Sequence, residues 1–176
     1  MLRLPNNIDI HTHTGAPRCD AVLCVDPTQC DKLPEGDGMV SVGIHPWNAH
    51  LADDAVWARL ASWLNDSRVV AVGEIGLDRC KGPEEKVQDG VFRRQAELAA
   101  ALGLPVVIHC VRATDRLLAL RKSLQGANQW IYHGFRGKPE TAQQLLDAGI
   151  DLSFGDKFNS DAFQLTPSHR RYRETD

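Results

Sequence analysis

The sequence predicts a closed, parallel (β/α)8 barrel formed by a single domain over residues 1–176. Three observations lead there. Short β-branched runs recur along the chain. Amphipathic segments of helical period alternate with most of them. Five of the seven histidines fall at the C-terminal ends of runs, which in such a barrel lie on one rim, where active sites are built.

The runs are "NIDIHTH" (7–13), "AVLCVD" (21–26), "MVSVGIH" (39–45), "VVAVGEIGLD" (69–78), "PVVIHC" (105–110), "QWIYHGF" (129–135), "IDLSFG" (150–155) and "RRYRETD" (170–176). Continuous apolar runs such as "PVVIHC" suit parallel strands buried on both faces. The eighth run is the exception, since Arg170, Arg171 and Arg173 do not belong inside a barrel. Alternation lets Arg171 and Arg173 point outward together. Eight strands close the sheet.

The gaps after the first two runs are short and rich in Pro, Gly and Asp, so no full helix is expected there and the barrel is thin on that side. Helical periodicity begins at about Asp53, as a cap, and runs to Asn65 with Val56, Leu60, Trp63 and Leu64 on one face. It recurs from Glu84 to Leu102, where Val87, Val91, Leu98 and Leu102 align before the stop signals Gly103 and Pro105. Ala113 to Leu124 presents Leu117, Leu120 and Leu124. Pro139 to Ala148 opens with a first-turn proline and ends before Gly149.

The bulk numbers bound the function. A formal charge of -3 argues against a general nucleic-acid coat protein, so a polyanion would have to be met by a local cation cluster or by bound metal. No secretory leader and no apolar run of membrane-spanning length occurs, which makes the cytoplasm the expected location and gives no membrane association. Cys19, Cys24, Cys30, Cys80 and Cys110 form no CxxC pair and are odd in number, as reduced thiols would be.

At the rim, His11 and His13 end the first run, His45 the third, His109 the fifth, His133 the sixth and Asp176 the eighth, with Glu74 near the end of the fourth. Side chains at i and i+2 of a strand share a face, so His11 and His13 can offer nitrogens to one ion. One strand-end histidine alone is more often a hydrogen-bonded loop residue. The joint pattern points to metal. His50 and His169 read as surface residues.

The stretches "DIHTH", "VGIHPW", "VGEIGLD", "VFRRQAELA", "PVVIHC", "YHGFRG", "LSFG" and "ETD" resemble, in this order, the TatD-type metal-dependent deoxyribonucleases of the amidohydrolase superfamily. The resemblance covers nearly the whole chain. It implies a distorted TIM barrel holding two divalent ions and a hydrolase that cuts phosphodiester bonds of DNA. Histidine and carboxylate ligands suit Zn, Mn or Ni and a phosphodiester substrate allows Mg, and the DNA is expected to be single-stranded or an end. By the same resemblance His11, His13 and Asp176 bind one ion, His109 and His133 the other, Glu74 bridges them, and Asp176 is the general base for a metal-activated water.

His45 is then read as a phosphate contact or a proton donor to the leaving alkoxide, or else as a histidine pinning its own loop against Pro46 and Trp47. Asp78 resembles a residue that orients a ligating imidazole through its ring N–H, with a surface cap as the competing reading. Arg112, Arg136 and Lys138 follow the fifth and sixth runs, and Lys157 the seventh, where they could pair with phosphates. Trp47 could stack a base or serve as packing. No obligate protein partner is inferred.

Two departures from the family pattern stand out. The first two βα units are abbreviated, and the sequence stops at Asp176 where relatives continue past "ETD" into a closing helix; a terminal Asp176 is expected to fray. Two alternatives therefore stay beside the nuclease: an amidohydrolase acting on a small amide, lactone or phosphoester with the same ligands, and a truncated, non-catalytic barrel.

Overall fold

A computed structural model describes residues 1–124, 126 and 128–176. Eight parallel strands close in sequence order: β1 (Asp9–Thr12), β2 (Ala21–Val25), β3 (Met39–Val42), β4 (Val69–Asp78), β5 (Val106–Val111), β6 (Trp130–Tyr132), β7 (Ile150–Phe154) and β8 (Arg171–Arg173). Closure rests on Asp9 of β1 in register with Arg173 of β8. Around the barrel lie α1 (Asp54–Trp63), α2 (Glu85–Leu102), α3 (Thr114–Ser123), α4 (Pro139–Asp147) and α5 (Ser160–Leu165). Among the described residues, β1 and β2 are each followed by loop alone, the thin side that their Pro/Gly/Asp content predicts.

The alternation of each short strand sends one set of side chains to the axis and the other to the helices. Ile8, Ile10, Val22, Ala71, Val107, Ile131 and Tyr172 fill the interior from below, so the barrel is a packed core beneath the rim. Outside, Phe92 meets Trp130 edge to face at 5.4 Å between α2 and β6. Val56, Trp57, Leu60 and Trp63 press α1 against β2 and β3.

Local signals act as their chemistry dictates. Asp53 caps α1 by accepting the Val56 N–H at 2.8 Å. Gly103 ends α2 at φ +67°, a conformation an L side chain resists. On β8, Tyr172 turns inward while Arg173 is exposed and Arg171 stacks on Phe163 at 4.1 Å. The eighth strand is shorter than its run, for Arg170 lies in a 3-10 turn (Ser168–Arg170) and its Nε donates to Asp151 at 2.6 Å.

The expected apolar face of α2 needs correcting. Val87 and Leu102 are largely exposed, and the buried face is Gln88, Phe92, Gln95, Ala96 and Ala99. Two glutamines face the barrel because two strand ends need partners. Gln95 accepts the Ile44 N–H at 2.7 Å and donates to the Ile44 carbonyl at 3.2 Å. Gln88 accepts the Asp78 N–H at 2.7 Å and donates to the carbonyls of Asp78, Lys81 and Pro83. Each amide serves strand-end backbone groups on the side where no sheet neighbour reaches them: Ile44 lies just beyond β3, and Asp78 is the last residue of β4.

A consequence is measurable. Gln95→Leu keeps the volume but leaves the N–H and C=O of Ile44 buried without partners, and is expected to cost about 3 kcal/mol in urea unfolding. A loss below about 1 kcal/mol would show that this backbone reaches water instead.

Candidate metal centre

Glu74 is the hub of the rim. Its side chain is 3 % exposed and its two carboxylate oxygens face two sets of imidazoles. Oε1 lies 2.7 Å from His109 Nδ1, 2.7 Å from His133 Nε2 and 3.3 Å from His45 Nε2. Oε2 lies 3.4 Å from His11 Nε2 and 3.3 Å from His13 Nε2. Asp176 Oδ1 closes the second set, 3.7 Å from His11 Nε2 and 3.4 Å from His13 Nε2.

The structure thus brings His11, His13, Glu74, His109, His133 and Asp176 together on one rim, with His11 and His13 near Glu74 Oε2, His109 and His133 near Oε1, and the His11 and His133 rings 4.3 Å apart. His45 joins the His109 side. Its Nδ1 accepts the Trp47 backbone N–H at 3.2 Å, so a neutral ring carries its proton on Nε2, toward Glu74. The His45 backbone is itself held, its N–H donating to Asp26 at 3.2 Å, while Gln95 fixes the preceding residue.

Asp78 sits beside His109. Its Oδ2 lies 3.1 Å from His109 Nε2 and accepts the Trp47 indole N–H at 2.7 Å. The Cys80 and Lys81 backbone N–H groups donate to Oδ1, and Gln88 clamps the Asp78 backbone from below. Trp47 is 39 % exposed, yet its edge packs on His45 and His109 and Lys81 Nζ sits 4.2 Å above one face. Packing and a hydrogen bond therefore occupy much of the ring that could stack a base.

Two residues outside the expected site join it. Glu174 is buried, accepts the Gly134 N–H at 2.9 Å and lies 3.4 Å from His133 Nδ1, so His133 bridges two carboxylates. Alternation continued past β8 would have found it, since Tyr172, Glu174 and Asp176 fall on one face. Cys24 Sγ accepts the Glu74 backbone N–H at 3.1 Å. Thr175, on the other face, ties this segment down. Its N–H donates to Asp9 Oδ1 at 3.2 Å and to the His11 carbonyl at 3.3 Å, and its hydroxyl donates to Asp9 Oδ2. Asp176 lies against the histidines with its side chain 43 % exposed.

The cations divide. Arg136 and Lys157 are exposed and line, with Thr175 and Asp176, a cavity of about 260 Å³ beside the centre. Arg112 and Lys138 are exposed as well but border neither that cavity nor the central one of about 380 Å³.

The electrostatics follow from this crowding. Burial works to raise the Glu74 carboxyl, but hydrogen bonds from His109, His11, His13 and His133 hold it well below its usual range. Burial opposes a charged His133, yet Glu174 and Glu74 together push it up to about 10. Burial, with the charge of His133, lowers His11, whereas the Glu74 hydrogen bond raises His13. Glu174 is lowered, against its burial, chiefly by His133.

Five ring nitrogens on one carboxylate exceed the roughly four lone-pair sites it offers, and His11 and His13 point Nε2 at each other across 3.2 Å. Hydrogen bonding alone does not account for such convergence. A nitrogen and oxygen donor set of this kind fits divalent cations, and His11–Glu74–His133, His11–His13–Asp176 and His45–Glu74–His109 each bring three donor atoms within 4.8 Å of one another.

Fold and rim together define a (β/α)8 barrel with a candidate metal-binding rim of histidines and carboxylates. The sequence profile described as TatD related DNase matches residues 28–176, and the chain belongs to that family. The matched span holds His45, Glu74, His109, His133 and Asp176; His11 and His13 precede it, and their place rests on the geometry above.

The chain is 39 % identical over 119 residues to a protein of Cronobacter turicensis named 3'-5' ssDNA/RNA exonuclease TatD, covering 64 % of this chain and 43 % of the relative. It is 36 % identical over 121 residues to the metal-dependent hydrolase YabD of Bacillus subtilis, covering 65 % and 46 %. The aligned stretch thus spans under half the length of these relatives. Among solved structures, the TatD homologue YjjV of Escherichia coli K12 aligns with a TM-score of 0.75 at 24 % identity, covering 89 % of this chain and 66 % of that one. A TatD family hydrolase of Entamoeba histolytica aligns at 0.71 and 22 %, covering 88 % and 60 %. These likenesses confirm the barrel.

Proposed function

We propose that this single domain is a divalent-metal-dependent hydrolase that cleaves phosphodiester bonds of DNA, single-stranded or at an end. The observation that carries the reading is Glu74, one oxygen toward His109 and His133 and the other toward His11 and His13. His11, His13 and Asp176 would hold one ion, His109 and His133 a second, with Glu74 shared. When bound, such ions supply Lewis-acid activation of a water and of the phosphoryl group.

The rest is the work of this chain's residues. Asp176, held at the open edge by Thr175, accepts the proton of the attacking water. His45 presents its Nε2 proton to the same rim and serves the leaving oxygen, or binds the phosphate. Asp78 fixes the tautomer and direction of His109, which a ligating imidazole requires. Arg136 and Lys157 flank Asp176 and would take the neighbouring phosphates, with Arg112 and Lys138 meeting the strand farther out. The exposed part of Trp47 borders the central cavity and would contact a terminal base.

Among the described residues no helix is long and apolar enough to cross a membrane. The five cysteines, odd in number and without a CxxC pair, are free and support a cytoplasmic site of action. The test is to strip the protein of metal, restore Zn²⁺, Mn²⁺, Mg²⁺ or Ni²⁺ one at a time, and follow digestion of end-labelled single-stranded DNA. Metal-dependent shortening is expected. Turnover of small amides, lactones or phosphoesters with DNA untouched would favour the amidohydrolase reading, and a protein that binds no metal at saturation would be the non-catalytic barrel.

A further inference from the structure

The alternation that turns Val22 into the barrel interior carries Cys24, two residues on, along the same face to the rim. There its sulfur meets the centre. Cys24 Sγ, a ring nitrogen of His13 and a carboxylate oxygen of Glu74 lie within 4.8 Å of one another, and all three residues line the central cavity. The Glu74 N–H that points at the sulfur from 3.1 Å is the donor a thiolate would use. A thiolate is the soft member of an otherwise nitrogen and oxygen set, and soft ligands discriminate between ions that harder ligands treat more evenly.

We propose that Cys24 is a further metal ligand on the His13 side, and that it makes the centre of this chain selective for a thiophilic divalent ion, such as zinc, over magnesium or manganese. The inference rests on the reading of His13 and Glu74 as ligands. Binding breaks the S–H bond heterolytically and forms a sulfur–metal bond; the proton leaves to buffer and no electron is transferred. The rival role for a small half-apolar residue here is filling space under the rim, and the two roles differ in what a spectrum records.

The experiment is a Co²⁺ titration of the reduced, metal-free full chain. Visible d–d bands report nitrogen and oxygen ligation, and a separate near-ultraviolet band reports thiolate-to-cobalt charge transfer. Both are expected in the native protein. Cys24→Ser should lose the near-ultraviolet band, keep the visible ones, and bind Zn²⁺ about tenfold or more weakly while Mn²⁺ affinity moves less than about threefold.

Visible bands without the sulfur band in the native protein overturn the proposal and leave the metal centre standing, with no variant needed. A sulfur band that survives Cys24→Ser but is lost in Cys19→Ser or Cys80→Ser, whose side chains are exposed, overturns it too. Absence of every cobalt band defeats this proposal together with the ligand reading beneath it.

Discussion

Glu74→Gln is expected to lower metal-dependent digestion of single-stranded DNA about a thousandfold or more while circular dichroism stays native. The substitution keeps size and shape. It removes the one negative charge that both imidazole groups share, and replaces an oxygen acceptor by an amide N–H aimed at ring nitrogens. Transition-state charge stabilisation at a metal site is worth several kcal/mol, and about 4 kcal/mol corresponds to three decades in rate. Elemental analysis should show fewer ions per chain. Native activity in Glu74→Gln would refute both the bridging role and the proposed mechanism.

Much of this site is legible in the sequence because strand ends are legible. The step of two between His11 and His13, and the position of His109 and His133 after β-branched runs, place four imidazoles on one rim before any coordinates exist. What stays hidden is decided by tertiary need. Periodicity counts apolar residues, whereas Gln88 and Gln95 of α2 are buried to satisfy backbone at Asp78 and Ile44, strand ends that no local pattern connects to them. Glu174 is hidden for a simpler reason. It sits beside a recognised Asp, and only alternation carried onward from the buried Tyr172 marks it as inward facing. Cys24 follows Val22 by the same rule on β2, where an isolated cysteine carries no signal of its own.

The clustered charges are also expected to give the protein opposite pH responses with and without metal. His133 has an ordinary value of 6.5 and is raised to about 10 in the fold, so between these limits the folded state holds a proton that the unfolded chain has released. Stability of the metal-free protein from this group is fully present below 6.5 and is lost as pH rises toward about 10, at up to about 1.4 kcal/mol per pH unit. Glu174 and Glu74, held below 4.5, act in the other direction: their contribution is present above 4.5 and lost as pH falls through their lowered values. Metal-free protein should therefore be most stable in weakly acidic buffer. With His133 as a ligand, as proposed, a bound cation is expected to reverse this trend, since ligation requires the proton to leave, and apparent affinity should climb up to about tenfold per pH unit. Thermal unfolding between pH 6 and 9 should then show the metal-induced rise in Tm growing with pH, and calorimetry in buffers of different ionisation enthalpy should find about one proton or more released per chain at pH 7. A pH-independent rise in Tm with no proton release would remove His133 from the ligand set, leaving it as the partner of Glu174 alone.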